Sequence, residues 1–75
     1  MADFEATEVS RLQEYLKNRF GNNDIALKIR EKAPESVELL MKGEFIATIY
    51  KDDEDGGVSY DLNMAILSED LPNAA

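Results

Sequence analysis

The stretch YKDDEDGGVSYDLNMAIL, residues 50–67, decides the fold, because it carries a turn signal between two apolar runs. Asp55-Gly56 is among the strongest pairs for a tight hairpin, since both central residues of a type I′ turn need positive φ. The resulting register gathers apolar residues on one face of a sheet: Ile49 opposite Leu62, Ala47 opposite Met64, Phe45 opposite Ile66, with Val58 and Tyr60 beside them. A longer loop would shift this pairing by two residues.

Alternating apolar and polar residues predict four strands. They run from 25 to 30, from about 37 to 41, from about 45 to 51 and from about 58 to 67. Between the second and third strands, a two-residue turn at Lys42-Gly43 would put Leu39 on the face of Ile46. We prefer a three-residue loop that ends with Gly43 in a left-handed conformation. That loop places these apolar residues on one face: Val37, Leu39, Phe45, Ala47 and Ile49.

The first part of the chain is predicted to be a helix. Its apolar residues recur at helical spacing: Val9, Leu12, Leu16 and Phe20, with Phe4 and Tyr15 beside them. Thr7 or Asp3 could serve as the N-cap, and Gly21 is expected to end the helix as a left-handed residue. The predicted class is therefore α+β, with one N-terminal helix packed on a four-stranded antiparallel meander (α-β-β-β-β). We expect a single small domain, residues 1–75, with an ordered core of about residues 4–71.

Composition excludes several large functional classes. Sixteen acidic residues against eight basic ones give a net charge of −8, which disfavours binding to nucleic acid or to anionic membranes. The chain has no cysteine and no histidine, which removes disulfides, ordinary zinc sites and the usual general base. It shows neither a signal peptide nor the ~20 apolar residues that span a membrane. We expect a soluble cytoplasmic protein, not an enzyme, with no catalytic residues and no cofactor.

The acidic run before the glycines could hold a metal ion or form the tip of a hairpin. Its candidate ligands are Asp53, Glu54 and Asp55. Neither glycine register reproduces an EF-hand loop, and adjacent side chains of a strand point to opposite faces, which hinders convergence on one ion. A solvated hairpin tip is the preferred interpretation. Weak binding of a divalent cation is the alternative.

The second face of the predicted sheet mixes apolar and polar residues, although a face that meets only water should be polar. Its apolar members form the predicted interaction surface: Leu40, Ile46, Thr48, Tyr50, Ala65 and Leu67. Scattered exposed apolar residues are also normal. Together with open strand edges, this face favours a non-enzymatic interaction module that self-associates or binds a protein partner. An acidic mimic of nucleic acid that occupies a basic protein is a further alternative, based on charge alone.

A set of short motifs runs along the chain: Tyr15-Leu16, Phe20-Gly21, Glu44-Phe45-Ile46, residues 50–56, Ser59-Tyr60, residues 64–67 and Asp70-Leu71. On these motifs the chain resembles a family of short alphaproteobacterial proteins of unknown function, over most of its length. It departs from the family pattern at Asn63, where glutamine is expected, and at residues 39–41, where a more strand-like segment is expected. The resemblance implies a stand-alone cytoplasmic protein and brings neither an activity nor site residues.

Overall fold

The fold is a helix followed by four antiparallel strands, and the computed structural model describes residues 3–73, with Asp55 by its backbone alone. The elements are α1 (Ala6–Phe20), β1 (Ile25–Arg30), β2 (Ala33–Met41), β3 (Glu44–Asp52) and β4 (Ser59–Asn63). The strands lie in the order β1-β2-β3-β4, each antiparallel to its neighbour. The predicted α+β class and the α-β-β-β-β meander are confirmed.

The N-terminus of α1 is capped differently from the prediction. Glu5, in an extended conformation, precedes the helix as its N-cap, and its backbone N–H donates to Glu8 Oε1 at 3.2 Å. A glutamate three residues into the helix that reaches back to the N-cap satisfies one of the backbone groups left free at a helix start. The prediction of Thr7 or Asp3 as N-cap was wrong, because Thr7 lies inside the first turn.

The C-terminus of α1 confirms the prediction. Gly21 is left-handed, with φ 62°, and its N–H donates to the carbonyl of Lys17. The N–H of Asn22 donates to the same carbonyl at 3.0 Å. Glycine adopts this conformation without the steric cost that a Cβ would add.

The β2–β3 hairpin has a two-residue turn and a bulge instead of the predicted three-residue loop. Lys42 and Gly43 have φ of 53° and 81°, as in a type I′ turn. The register then shifts, because Leu40 pairs with Phe45 whereas Leu39 pairs with Ala47. Ile46 is thus the extra residue on β3.

The bulge preserves the predicted inner face and changes the residues near the turn. Buried inner-face residues on β2 and β3 are, as predicted, Val37, Leu39, Ala47 and Ile49. Phe45, predicted to join them, lies opposite Leu40 and is exposed. Ile46, predicted on the outer face, is half-buried and packs against the core. One extra residue is enough to exchange their faces, since side chains alternate along a strand.

The β3–β4 hairpin has the predicted register without the predicted turn. Ile49 pairs with Leu62, as expected from a tight Asp55-Gly56 turn. The ladder nevertheless stops at Asp52 and Ser59, and a 3₁₀ turn over Glu54–Gly56 lies within the connection. Asp52 Oδ1 accepts the backbone N–H of Glu54 at 3.0 Å, a local bond that competes with further strand pairing. The longer loop leaves the register unshifted.

β4 ends at Asn63, so the prediction of a strand to residue 67 was wrong. The last pair joins Thr48 to Asn63. The predicted pairs of Ala47 with Met64 and of Phe45 with Ile66 do not form. The bulge at Ile46 lies at this point of β3 and interrupts the regular ladder that Met64 and Ile66 would have joined.

The core is built by Phe4, which precedes the helix, together with α1 and the first three strands. Its buried residues are Phe4, Leu16, Ile25, Val37, Leu39, Ala47 and Ile49. Val58, Tyr60 and Leu62, predicted on the core face, are exposed. Among the described elements, only β1 has Cα atoms within 8 Å of those of α1. The helix therefore covers one side of the sheet's inner face. Between residues 3 and 73 there is no helix of the length and apolar character needed to cross a membrane.

Candidate interaction site

The inner face of β3 and β4 forms the floor of an apolar groove of about 470 Å³ beside α1. The helix wall consists of Glu8, Arg11, Leu12, Tyr15 and Leu16, and the strand side consists of Ile49, Tyr60 and Leu62. Tyr15 is 58 % exposed and Leu62 is 41 % exposed. Large side chains left half uncovered along one hollow are typical of a surface that another molecule covers.

A second hollow of about 300 Å³ continues past the C-terminal end of the helix. It is lined by Phe20, Asn22, Ile25, Leu39, Met41, Ile46, Ala47, Leu62 and Met64. Leu62 lines both hollows, so the two adjoin along β4. We call them together the open groove.

Glu8, Lys51 and Tyr60 form a polar cluster at one end of the open groove. Glu8 Oε1 accepts a hydrogen bond from Lys51 Nζ at 2.8 Å, and Glu8 Oε2 accepts one from the Tyr60 hydroxyl. The side chains of Lys51 and Glu8 are only 11 % and 16 % exposed. Tyr60 also stacks on the buried ring of Phe4, with centroids 5.8 Å apart. The cluster joins the start of α1 to β3 and β4.

The three groups in this cluster shift one another's pKa. Burial alone would raise the pKa of Glu8, but hydrogen bonds from Lys51, Tyr60 and the Glu5 backbone outweigh it and hold the pKa below the usual 4.5. The hydrogen bond to Glu8, reinforced by burial, raises the pKa of Tyr60 above the usual 10.0. The same partner raises the pKa of Lys51 against the effect of burial. All three groups therefore keep their usual charge at neutral pH.

The two edges of the sheet differ in their cover. On β1, the backbone N–H of Leu27 donates to Gln13 Oε1 of the helix at 2.9 Å, so α1 satisfies part of this edge. On the other side, β4 is the last strand, and within residues 3–73 no strand pairs with its outer edge. Unpaired strand edges are templates for another chain. The open edge thus lies next to the open groove.

Residues 64–71 leave the sheet at the mouth of the open groove; we call them the C-terminal segment. Met64 lines the second hollow, and a 3₁₀ turn over Ser68–Asp70 follows. In this turn Asp70 Oδ2 accepts the backbone N–H of Leu67 at 3.3 Å. The segment has a defined local shape, yet its large apolar residues are exposed: Met64, Ile66, Leu67 and Leu71.

The structure separates the residues of the predicted interaction surface. Leu40, Thr48 and Tyr50 lie on the outer face, where the first two are half-buried. Ile46 belongs to the opposite face, because of the bulge. Ala65 and Leu67 belong to the C-terminal segment, beyond the end of β4. The predicted patch is therefore not one continuous surface, and a binding role for its members stays a prediction.

The acidic loop presents no metal site among the side chains that are described. Asp53 and Glu54 are exposed, and Asp55 is known here by its backbone alone. Across the described residues, no three acidic side chains come together in a way that could hold a metal ion. Cation binding by residues 53–55 stays a prediction.

Sequence reasoning missed the polar cluster and the role of Leu62. A usable signal for the cluster was present, because Lys51 shares strand parity with Ile49 and must face inward. A charged residue on an inner face needs a partner, which the acidic helix could supply. Leu62 was assigned to the correct face but to a closed core. Nothing in the alternation shows that α1 lies over β1 and leaves β4 open.

Comparison with known proteins places the chain in a family without assigning a function. Residues 8–70 match the family described as protein of unknown function, DUF3126. No curated protein and no solved structure shows significant similarity to the chain. The predicted membership in a family of unknown function is confirmed, whereas its restriction to alphaproteobacteria and its motif pattern stay predictions. Since the match covers most of the chain, including the polar cluster and the open groove, the protein belongs to the DUF3126 family.

Proposed function

We propose that the protein is a non-enzymatic protein-interaction module that binds an extended, apolar segment of polypeptide in the open groove. The observation that carries this proposal is the groove itself, two adjoining apolar hollows beside the open edge of β4. An added segment can pair its backbone with such an edge and place alternate side chains in neighbouring hollows. Both requirements are met on the same side of the molecule.

The exposed side chains of the open groove supply the binding free energy. Fully burying a leucine-sized side chain contributes about 1.5–3 kcal/mol. Tyr15 and Leu62 are about half exposed, so covering each would contribute about half of that amount. Tyrosine and arginine are enriched where binding energy concentrates, and Tyr15 and Arg11 both line the groove.

The polar groups of the groove support a binding role over a catalytic one. Glu8, Lys51 and Tyr60 hydrogen-bond to one another. The Glu8 carboxylate accepts hydrogen bonds from the Lys51 ammonium group and the Tyr60 hydroxyl, and these bonds hold the end of the groove in place. Arg11 is the remaining charged residue that lines the first hollow. It would attract a segment that carries an acid near its apolar residues.

The interaction surface proposed here differs from the one predicted on the outer face. The bulge at Ile46 and the end of β4 at Asn63 divide that outer face. The strand-edge part of the same hypothesis is retained, since β4 leaves its outer edge open. No contact in the described part of the chain favours cation binding or nucleic-acid mimicry over this function.

Affinity capture with a matched pair of variants tests the proposed function. The bait is the full chain, used as wild type, as Leu62→Glu in the groove and as Val58→Glu outside it. Both variants replace an exposed apolar residue and add one negative charge. We expect wild type and Val58→Glu to retain the same proteins from a native lysate of the source organism, and Leu62→Glu to lose them.

The proposal would be refuted if Leu62→Glu, folded as judged by circular dichroism, retained the same proteins in the same amounts as the wild type. Capture at low and at high salt distinguishes apolar binding in the groove from charge-driven binding to the acidic surface of the protein. Apolar binding in the groove persists at high salt, whereas binding of a basic protein to the acidic surface is screened away.

A further inference from the structure

We propose that the occupant of the open groove is the C-terminal segment, residues 64–71, of a second copy of the chain. Two copies would exchange these segments reciprocally, each inserting its own into the partner's groove. This inference rests on the proposed function and names the partner. The observations that carry it concern the exposure, reach, chemistry and charge of the segment.

The C-terminal segment exposes side chains that its own fold does not cover. Met64, Ile66, Leu67 and Leu71 are 49 %, 64 %, 54 % and 58 % exposed. The bulge at Ile46 interrupts the ladder on β3, so the segment does not continue along its own sheet. An uncovered apolar segment and an uncovered apolar groove therefore occur in the same molecule.

The molecule is elongated, and the length of the segment is compatible with insertion into a second copy. The Cα radius of gyration is 13.8 Å, whereas a compact chain of this length has about 11 Å. The principal extents are 47 × 23 × 23 Å. Residues 64–67, which precede the 3₁₀ turn, would span about 13 Å when extended, about half of the 23 Å width of another copy. Exchange of an identical element is a common route to dimers.

The segment and the groove match in chemistry. Ile66 and Leu67 offer the apolar side chains of the segment, and Glu69-Asp70 follow after Ser68. The groove offers apolar walls and the exposed Arg11. Insertion would cover the apolar residues on both sides and bring an acid of the segment toward the arginine. Because a two-fold dimer makes every contact twice, each insertion needs to bury only half of the ~1,200–2,000 Å² of a standard interface.

Net charge gives this dimer a distinctive salt dependence. Each copy carries a charge of −8, so two copies repel each other at low ionic strength. Added salt screens this repulsion but leaves apolar contacts in place. We therefore expect the dimer to tighten as salt rises. A dimer that dissociates with salt would be held by charge and would contradict the exchange of apolar segments.

Sedimentation velocity of the full chain, from micromolar to millimolar concentration, tests the exchange. Ile66→Glu alters the segment, Tyr15→Glu alters the helix wall of the groove, and Val58→Glu is an exposed control outside both. All three add one negative charge. We expect wild type and Val58→Glu to dimerise, and the dissociation constant of the other two to rise by about tenfold or more, the loss of one large apolar contact.

Mixing the two weakened variants identifies a reciprocal exchange. A pair made of one Ile66→Glu copy and one Tyr15→Glu copy keeps one intact segment in one intact groove. Ile66 and Tyr15 contact each other in the proposed insertion, so once one of them is replaced, replacing the other costs little more. We therefore expect the mixture to dimerise more strongly than either variant alone. A mixture that stays as dissociated as its components overturns the proposed exchange.

The oligomeric state of the wild type, taken from its mass in solution, distinguishes failure of this inference from failure of the proposed function. A wild-type chain that is monomeric at every concentration overturns the exchange. If Leu62→Glu still loses captured proteins in that case, the groove binds another protein and the proposed function stands. If capture is also unchanged, both proposals are wrong.

Discussion

At the scale of single residues, Glu8 connects more elements than any sequence pattern indicates. Its carboxylate accepts hydrogen bonds from the backbone of Glu5, from Lys51 on β3 and from Tyr60 on β4. One side chain thus caps the helix and fixes the end of the sheet next to the open groove. Lys51 remains on the inner face because its charge is compensated there.

Replacing Glu8 with glutamine should reduce stability in a pH-dependent way. The pKa of Glu8 is lowered in the fold, so its charge contributes stability above the unfolded value of 4.5, and this contribution is lost as pH falls through the folded pKa. We expect Glu8→Gln to lower the free energy of unfolding by about 1.5 kcal/mol at neutral pH, the lower end of the range for hydrogen bonds to a charged group, because the glutamine carbonyl can still accept one of them. Urea unfolding from neutral to acid pH measures the difference.

The control is Glu14→Gln, which removes an exposed acid from the same helix. It should leave the free energy of unfolding within about 0.5 kcal/mol of the wild type.

At alkaline pH, the raised pKa of Tyr60 means that the contribution of its hydroxyl to stability is lost only as pH rises above 10.0. A constant difference between wild type and Glu8→Gln down to strongly acid pH would argue against the carboxylate's charge as the stabilising feature.

At the scale of elements, the sequence predicts faces better than it predicts turns. The preferred three-residue loop predicts Val37, Leu39 and Ile49 on one face, and the structure buries all three together through a tighter turn and a bulge. The turn is harder to predict than the faces, because Lys42 adopts a positive φ, a conformation that lysine rarely takes. The tight turn alone would place Leu39 and Ile49 on opposite faces, and the extra residue Ile46 returns them to the same face. This bulge depends on the packing of the whole hairpin, which the alternation of apolar residues does not show.

The Lys42-Gly43 turn offers a direct test of this explanation. Asparagine tolerates positive φ better than lysine does, so Lys42→Asn should raise the free energy of unfolding by about 0.5–1 kcal/mol. Thermal unfolding measures the change. Lys32→Asn, in the exposed β1–β2 turn outside the left-handed region, is the matched control and should show no such gain. Equal effects of the two substitutions would show that the conformation at Lys42 costs nothing.

At the scale of the whole molecule, the position of α1 determines which surface is open. The helix approaches β1 and satisfies part of that strand's edge through Gln13. The inner face of β4 and its outer edge are left uncovered. Alternation predicts which residues face inward, but the lateral position of a helix depends on contacts between distant residues. For this reason the predicted site fell on the outer face, whereas the open groove lies on the inner one.

The central claim is that the C-terminal segment of one copy occupies the open groove of another, and isotope-filtered NMR tests it directly. A sample that mixes labelled and unlabelled chains reports only contacts between copies. We expect nuclear Overhauser effects between the Ile66 methyl groups of one copy and the Tyr15 ring and Leu62 methyl groups of the other. If the Ile66 methyl groups show contacts only within their own chain at millimolar concentration, the claim is wrong.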